Sequence, residues 1–90
     1  MIINISNKED FQTLLKSERS ILLDFYADWC GPCKALLPIV EKFADKHKDD
    51  FAIAKINVDN NGELAQEVGV RSIPALFFLK DGKIQERVAG

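Results

Sequence analysis

Hydrophobic and polar positions along this chain alternate between two periods, and the switches mark the elements. Ile2, Ile3 and Ile5 predict a short first strand. Ser6 and Glu9 have capping-box spacing, so a helix is expected to start near Asn7, with Phe11, Leu14 and Leu15 as its buried stripe. Ile21 to Tyr26 is apolar on both faces, the mark of a central strand covered from both sides. Asp24 is the one exception in it, and a carboxylate there is costly to ionise without a partner or water.

From Cys33 to about His47 the pattern is helical again. Leu36, Leu37, Val40, Phe43 and Ala44 share one stripe, and Lys34, Glu41, Lys42, Asp45 and Lys46 take the other side. Pro32 falls in the first turn, where a missing N–H does no harm, and Pro38 falls inside the helix, where it should bend it. Phe51 to Val58 predicts a third strand. Asp59 or Asn60 is the expected cap of a short helix carrying Leu64, Ala65 and Val68, which Gly69 ends as a left-handed terminator. Ala75 to Leu79 is a second doubly apolar run, and Asp81-Gly82 turns it tightly into a last strand, Lys83 to Ala89. Ile84 and Val88 are expected on one face of that strand and Gln85 and Arg87 on the other, one face being wet. The resulting order of strand, helix, strand, helix, strand, helix, strand, strand is an α/β layered domain over residues 1–90, part parallel, with a terminal antiparallel hairpin.

Composition adds bounds. Ninety residues, 47% hydrophobic and 29% charged, describe one small globule. The net charge of −2 is scattered, so no basic block points to nucleic acid or an anionic membrane. No run has the length of a membrane span, and the N-terminus lacks the basic and apolar regions of a signal peptide; a cytoplasmic location is the expectation. In the cytosol a cysteine pair is more often redox-active or metal-binding than a structural staple.

The only two cysteines are Cys30 and Cys33, spaced C-x-x-C where the second strand meets the second helix. A thiol at a helix start is favoured as thiolate by unpaired N–H groups and the helix dipole. Zinc needs about four ligands, against two cysteines and His47 at the far helix end, and a bridge across two residues stabilises little. Disulfide exchange is therefore the leading chemistry, with Cys30 attacking and Cys33 resolving. From the residues alone Asp24 reads as a satisfied structural aspartate, Lys55 as a surface strand lysine, Trp29 as either core or contact surface, and His47 as a solvated helix-end residue. No Gly-rich nucleotide fingerprint is present, so no bound cofactor is expected beyond the redox pair itself.

The string Asp24-Phe25-Tyr26-Ala27-Asp28-Trp29-Cys30-Gly31-Pro32-Cys33-Lys34 resembles the thioredoxin family, as do Pro38, Lys55, Asn57, Asp59, Ile73-Pro74, Asp81-Gly82 and Gly90. The resemblance implies a thioredoxin-like fold: a central mixed sheet with helices on both faces. It implies Asp24 as proton acceptor for Cys33 through water, with Lys55 as its partner. It also implies a target-binding surface of Trp29, Gly31, Pro32, Ile73, Pro74 and Gly90, with a cis-proline loop at Ile73-Pro74. A protein-disulfide reductase function follows, recharged by a separate, NADPH-dependent flavoprotein reductase and acting on disulfide-containing target proteins. Tyr26 and Ala75 depart from the family's common tryptophan and threonine. The family's C-terminal helix is absent after Gly90, which is expected to uncover part of one sheet face and promote self-association. The alternative reading is a binding module or a folding-impaired short form.

Overall fold

The computed structural model describes residues 2–89. Five strands form one sheet, β1 (Ile2–Ile5), β2 (Ser20–Tyr26), β3 (Ala52–Asn57), β4 (Ala75–Lys80) and β5 (Lys83–Ala89), in the order β1-β3-β2-β4-β5. β3 pairs in parallel with β1 and β2, while β4 runs antiparallel to both β2 and β5. The three helices are α1 (Lys8–Ser17), α2 (Gly31–Lys46) and α3 (Gly62–Val68). Parallel neighbours need a crossover, which α1 and α2 supply.

Strand parity sorts the core into two layers. Ile21, Leu23 and Phe25 of β2 join Ala54 and Ile56 of β3 against Phe11 and Leu14 of α1 and Leu64 of α3. Phe25 and Phe77 meet edge to face there, with ring centroids 5.6 Å apart. Leu22 and Ile53 point the other way, against Val40 and Ala44 of α2. Asp24 and Lys55 have the parity of Leu22 and Ile53, so both project on the α2 side. β2 lies in the middle of the sheet and is buried from Ile21 to Phe25, as its apolar run predicts.

Several local expectations are corrected. The α1 cap is Asn7, whose Oδ1 accepts the Asp10 N–H at 2.8 Å, while Asp10 Oδ2 accepts the Ser6 N–H at 3.1 Å. The capping exchange therefore sits one residue later than Ser6 and Glu9. Neither Asp59 nor Asn60 caps α3. Asn61 holds that position and is buried, its Nδ2 donating to the carbonyls of Ile5 (3.4 Å) and Asn57 (3.0 Å). His47 is half-buried instead of solvated: its ring lies 4.5 Å from Phe43, near Phe51, and Nδ1 is 3.5 Å from an Asp50 oxygen.

The hairpin is as expected, with positive φ at both Asp81 (53°) and Gly82 (79°), the two-residue turn that matches strand twist. Its outgoing strand differs. A register shift at Phe78/Leu79 sets Ile84 opposite Leu79 and Val88 opposite Leu76. Leu79 and Leu76 belong to opposite layers, so Ile84 and Val88 are on different faces. The bulge adds a residue and breaks the alternation read from sequence. Residues 83 to 88 are all exposed, so both faces of β5 are wet. Gly69 ends α3 at φ 94°, its N–H donating to Ala65 and Gln66 carbonyls. Ile39 of α2 is 62% exposed, and Val88 of β5, across from Leu76, is 44% exposed.

Candidate functional site

The site forms where β2 ends and α2 begins. Cys30 is the N-cap of α2, and its Sγ accepts the Cys33 backbone N–H at 3.2 Å. One of the helix's orphan N–H groups thus points at this sulfur, as a thiolate requires. Pro32 occupies the first turn without loss of a bond. The helical turn brings the two Cα atoms to 5.3 Å, and Cys30 and Cys33 form a disulfide. Both cysteines are largely buried, at 4% and 7% exposure, so accessibility does not rank them. Their surroundings differ: Cys30 takes the helix N–H, and Cys33 lines a cavity with Asp24.

Beneath Cys33 lies a cavity of about 110 Å³ lined by Asp24, Lys55, Asp28 and Lys34 among others. That is ample for water. Asp24 is 3% exposed and its Oδ1 has no hydrogen-bond partner. Burial raises its pKa from 3.8 to about 6, against the attraction of Lys55, which lowers it. The two are direct register partners on adjacent parallel strands. Lys55 Nζ also sits 4.3 Å over the Tyr26 ring. Burial pushes the Tyr26 phenol upward as well.

Above the disulfide is an exposed rim. Trp29 is 70% exposed and held by its Nε1–H, which donates to Asp59 Oδ2 at 2.9 Å. Asp59 is itself fixed by its N–H on Asn57 Oδ1, 2.9 Å away. Gly31 and Pro32 are exposed beside it. Ile73 packs on the Ala27–Cys30–Cys33 cluster, and the Ile73-Pro74 peptide is cis. The structure thus brings together Cys30, Cys33, Trp29, Gly31, Pro32, Ile73 and Pro74 on one side and Asp24 and Lys55 on the other. Gly90 lies outside the described residues. Sequence reasoning missed Asp59 as the anchor of Trp29, because nothing local links positions thirty residues apart. It also missed Val58, which packs on the disulfide cluster.

The thioredoxin family model matches residues 2–90. A thioredoxin of Chlorobaculum thiosulfatiphilum is 43% identical over 83 residues, covering 91% of this chain and 77% of that protein. A thioredoxin of Mycoplasmoides gallisepticum is 41% identical over 97% of this chain and 86% of its own length. Among solved structures, a mutant thioredoxin from Halobacterium salinarum superposes with a TM-score of 0.92 at 40% identity, over 99% of this chain and 77% of that one.

The chain belongs to the thioredoxin family.

With the family goes its chemistry, protein thiol–disulfide exchange at a C-x-x-C pair, and partners of two general kinds, a reductase and disulfide-bearing targets. Among the described residues no cluster of three or more His, Cys, Asp or Glu is placed to hold a metal ion. Among those residues, too, no helix is long and apolar enough to cross a membrane.

Proposed function

We propose that this thioredoxin-family chain works in the reducing direction, as an electron carrier to protein disulfides in the cytoplasm. The Cys30 thiolate attacks one sulfur of a target disulfide, and the other target sulfur leaves as a thiolate. Cys33 loses its proton, attacks Cys30 Sγ in the mixed disulfide and releases the second target thiol. Two electrons pass from the dithiol to the target, leaving the Cys30–Cys33 disulfide. Asp24 accepts the Cys33 proton through water in the cavity that both residues line. A carboxyl group with a pKa of about 6 is mostly ionised at neutral pH and still basic enough to take a proton. Lys55 holds that value down, and Trp29, Gly31, Pro32, Ile73 and Pro74 form the contact surface for target backbone and side chains, a short case of strand addition. A separate NADPH-dependent flavoprotein regenerates the dithiol.

The observation that carries this reading is the Cys30 sulfur capping α2, one turn from a second sulfur beside a buried carboxyl. The test is turnover of a protein disulfide with and without a flavoprotein reductase. Cys33→Ser should trap mixed disulfides through Cys30, and Asp24→Asn should slow product release more than initial attack. Parent-like rates for both steps in Asp24→Asn would remove Asp24 from the mechanism. A reduction potential in the range of oxidases would reverse the proposed direction. Reversible self-association through exposed apolar side chains, Ile39 and Val88 among them, belongs to the same proposal; a monomer at every concentration in sedimentation would exclude it.

A further inference from the structure

Two surface cavities abut beside the disulfide and share Val70, Arg71 and Ser72. The nearer, about 520 Å³, is walled by Trp29, Val58, Val70 and Ile73 and is mostly apolar. The farther, about 560 Å³, lies towards β5 and has Arg71 and Arg87 in its wall, with no acidic residue lining it. Arg87 stands opposite Phe77 in the β4–β5 register, and its guanidinium lies 5.6 Å over the Phe77 ring. Gly69 lies beside it, where a Cβ would be in ordinary contact at 3.6 Å from Arg87 Nη1. A guanidinium stacked on an aromatic face keeps its N–H edge free for an anion. Among the described residues neither arginine is in an ion pair, whereas Arg19 and Lys8 each have acidic partners.

We infer that Arg71 and Arg87 form a carboxylate-recognition site that selects target polypeptides with an acidic side chain near the target cysteine. The inference rests on the proposed disulfide-reductant function and adds a selectivity to it. A target cysteine over Cys30 places its neighbours along the apolar cavity, whose wall already includes Arg71. A residue farther along the segment then reaches Arg87, which lines the adjoining cavity together with Arg71. Apolar contact next to the sulfur and a planar, bidentate cation beyond it match a segment of the form cysteine, apolar residues, then glutamate or aspartate.

The test uses the reduced full chain and heptapeptides whose single cysteine is held in a mixed disulfide with 2-thiopyridine. Cys30 attack on the peptide sulfur releases 2-thiopyridone, which is read by absorbance. Glutamate, glutamine, lysine or phosphoserine is placed two to four residues on either side of the cysteine. Exposed guanidinium–carboxylate contacts are individually weak, so the expected glutamate-to-lysine rate ratio is about tenfold at low salt. It should fall below about twofold at 0.5 M salt. Arg71→Gln alone, which leaves Arg87 stacked on Phe77, should reduce the ratio, and Arg71→Gln with Arg87→Gln should abolish it. A ratio near one in the parent chain, or the same ratio in the double variant, overturns the inference. A phosphoserine peptide faster than the glutamate peptide overturns the carboxylate assignment. If the glutamine peptide is not reduced at all, the reductant reading fails first and takes the inference with it.

Discussion

Asp24→Asn should stabilise the protein at neutral pH and should lose that advantage in acid. The folded chain raises the Asp24 pKa from 3.8 to about 6 by burying it, and the folded state therefore holds this proton more tightly than the unfolded state does. At about 1.4 kcal/mol for each tenfold change in proton affinity, ionising Asp24 costs the folded state about 3 kcal/mol. The sign is fixed by linkage: stability is highest below the unfolded pKa, where Asp24 is neutral in both states. It falls as pH rises from about 4 to about 6, and the loss is complete above that. Asparagine keeps the shape without the charge, so the variant escapes the loss. Urea unfolding of the oxidised parent and variant between pH 4 and pH 8 should give a stability difference that grows by about 2–3 kcal/mol in favour of the variant. For a domain of this size that is a rise in Tm on the order of 10 °C or more at pH 8. A difference that stays constant across that range would refute the burial argument, because a lost hydrogen bond or a packing change has no reason to titrate. Slower target release in the same variant would tie the destabilising charge to the chemistry.

Three other substitutions probe separate links. Lys55→Met removes the charge that opposes burial, so the Asp24 transition seen by NMR titration should move above 6; an unmoved transition would mean the pair does not interact across β2 and β3. Asn61→Ala takes a donor from the buried Ile5 carbonyl and leaves the Asn57 carbonyl with the Asn60 N–H alone, and should cost about 1 kcal/mol or more in denaturant unfolding, near the cost of leaving a buried acceptor short of a partner. Gly69→Ala forces a side chain into φ 94° at the α3 terminus and should cost about 1 kcal/mol by the same measurement, with no cost sinking the left-handed cap.

Elements whose cause is local were readable in the sequence. The apolar run of β2, the stripe of α2, the Asp81-Gly82 turn and the glycine end of α3 all depend on near neighbours, and the structure places them within two residues of expectation. Features set by distant partners were not readable. Asp59 looked like a cap because aspartate favours caps, but the Trp29 indole takes its carboxylate. Asn61 is drawn into the core by carbonyls on β1 and β3. His47 looked like a polar helix end, yet Phe43 and Phe51 enclose it. The β5 bulge has no signature in the alternation of Lys83 to Ala89, since only pairing with β4 reveals which residue is extra. At the site, the cysteine spacing was plain, while the cavity joining Cys33 to Asp24 exists only once β2, β3 and α2 are packed.

Two residues that break the burial rule, Asp24 and Trp29, lie on opposite sides of the disulfide. Asp24 is a carboxyl where the sheet offers apolar neighbours, and Trp29 is a large apolar ring left 70% exposed. Such violations are the informative positions, because an ordinary core or surface would remove both. Strand parity decides which side the carboxyl serves. Asp24 faces α2 because it lies two residues from Leu22, and a one-residue slip of β2 would turn it into the layer of Phe25 and Phe77, away from Cys33. The proposed proton transfer to Asp24 therefore depends on the register that pairs Asp24 with Lys55 and Leu76. The α1 and α3 layer, on the other side of the sheet from α2, fixes that register by burying Ile21, Leu23 and Phe25.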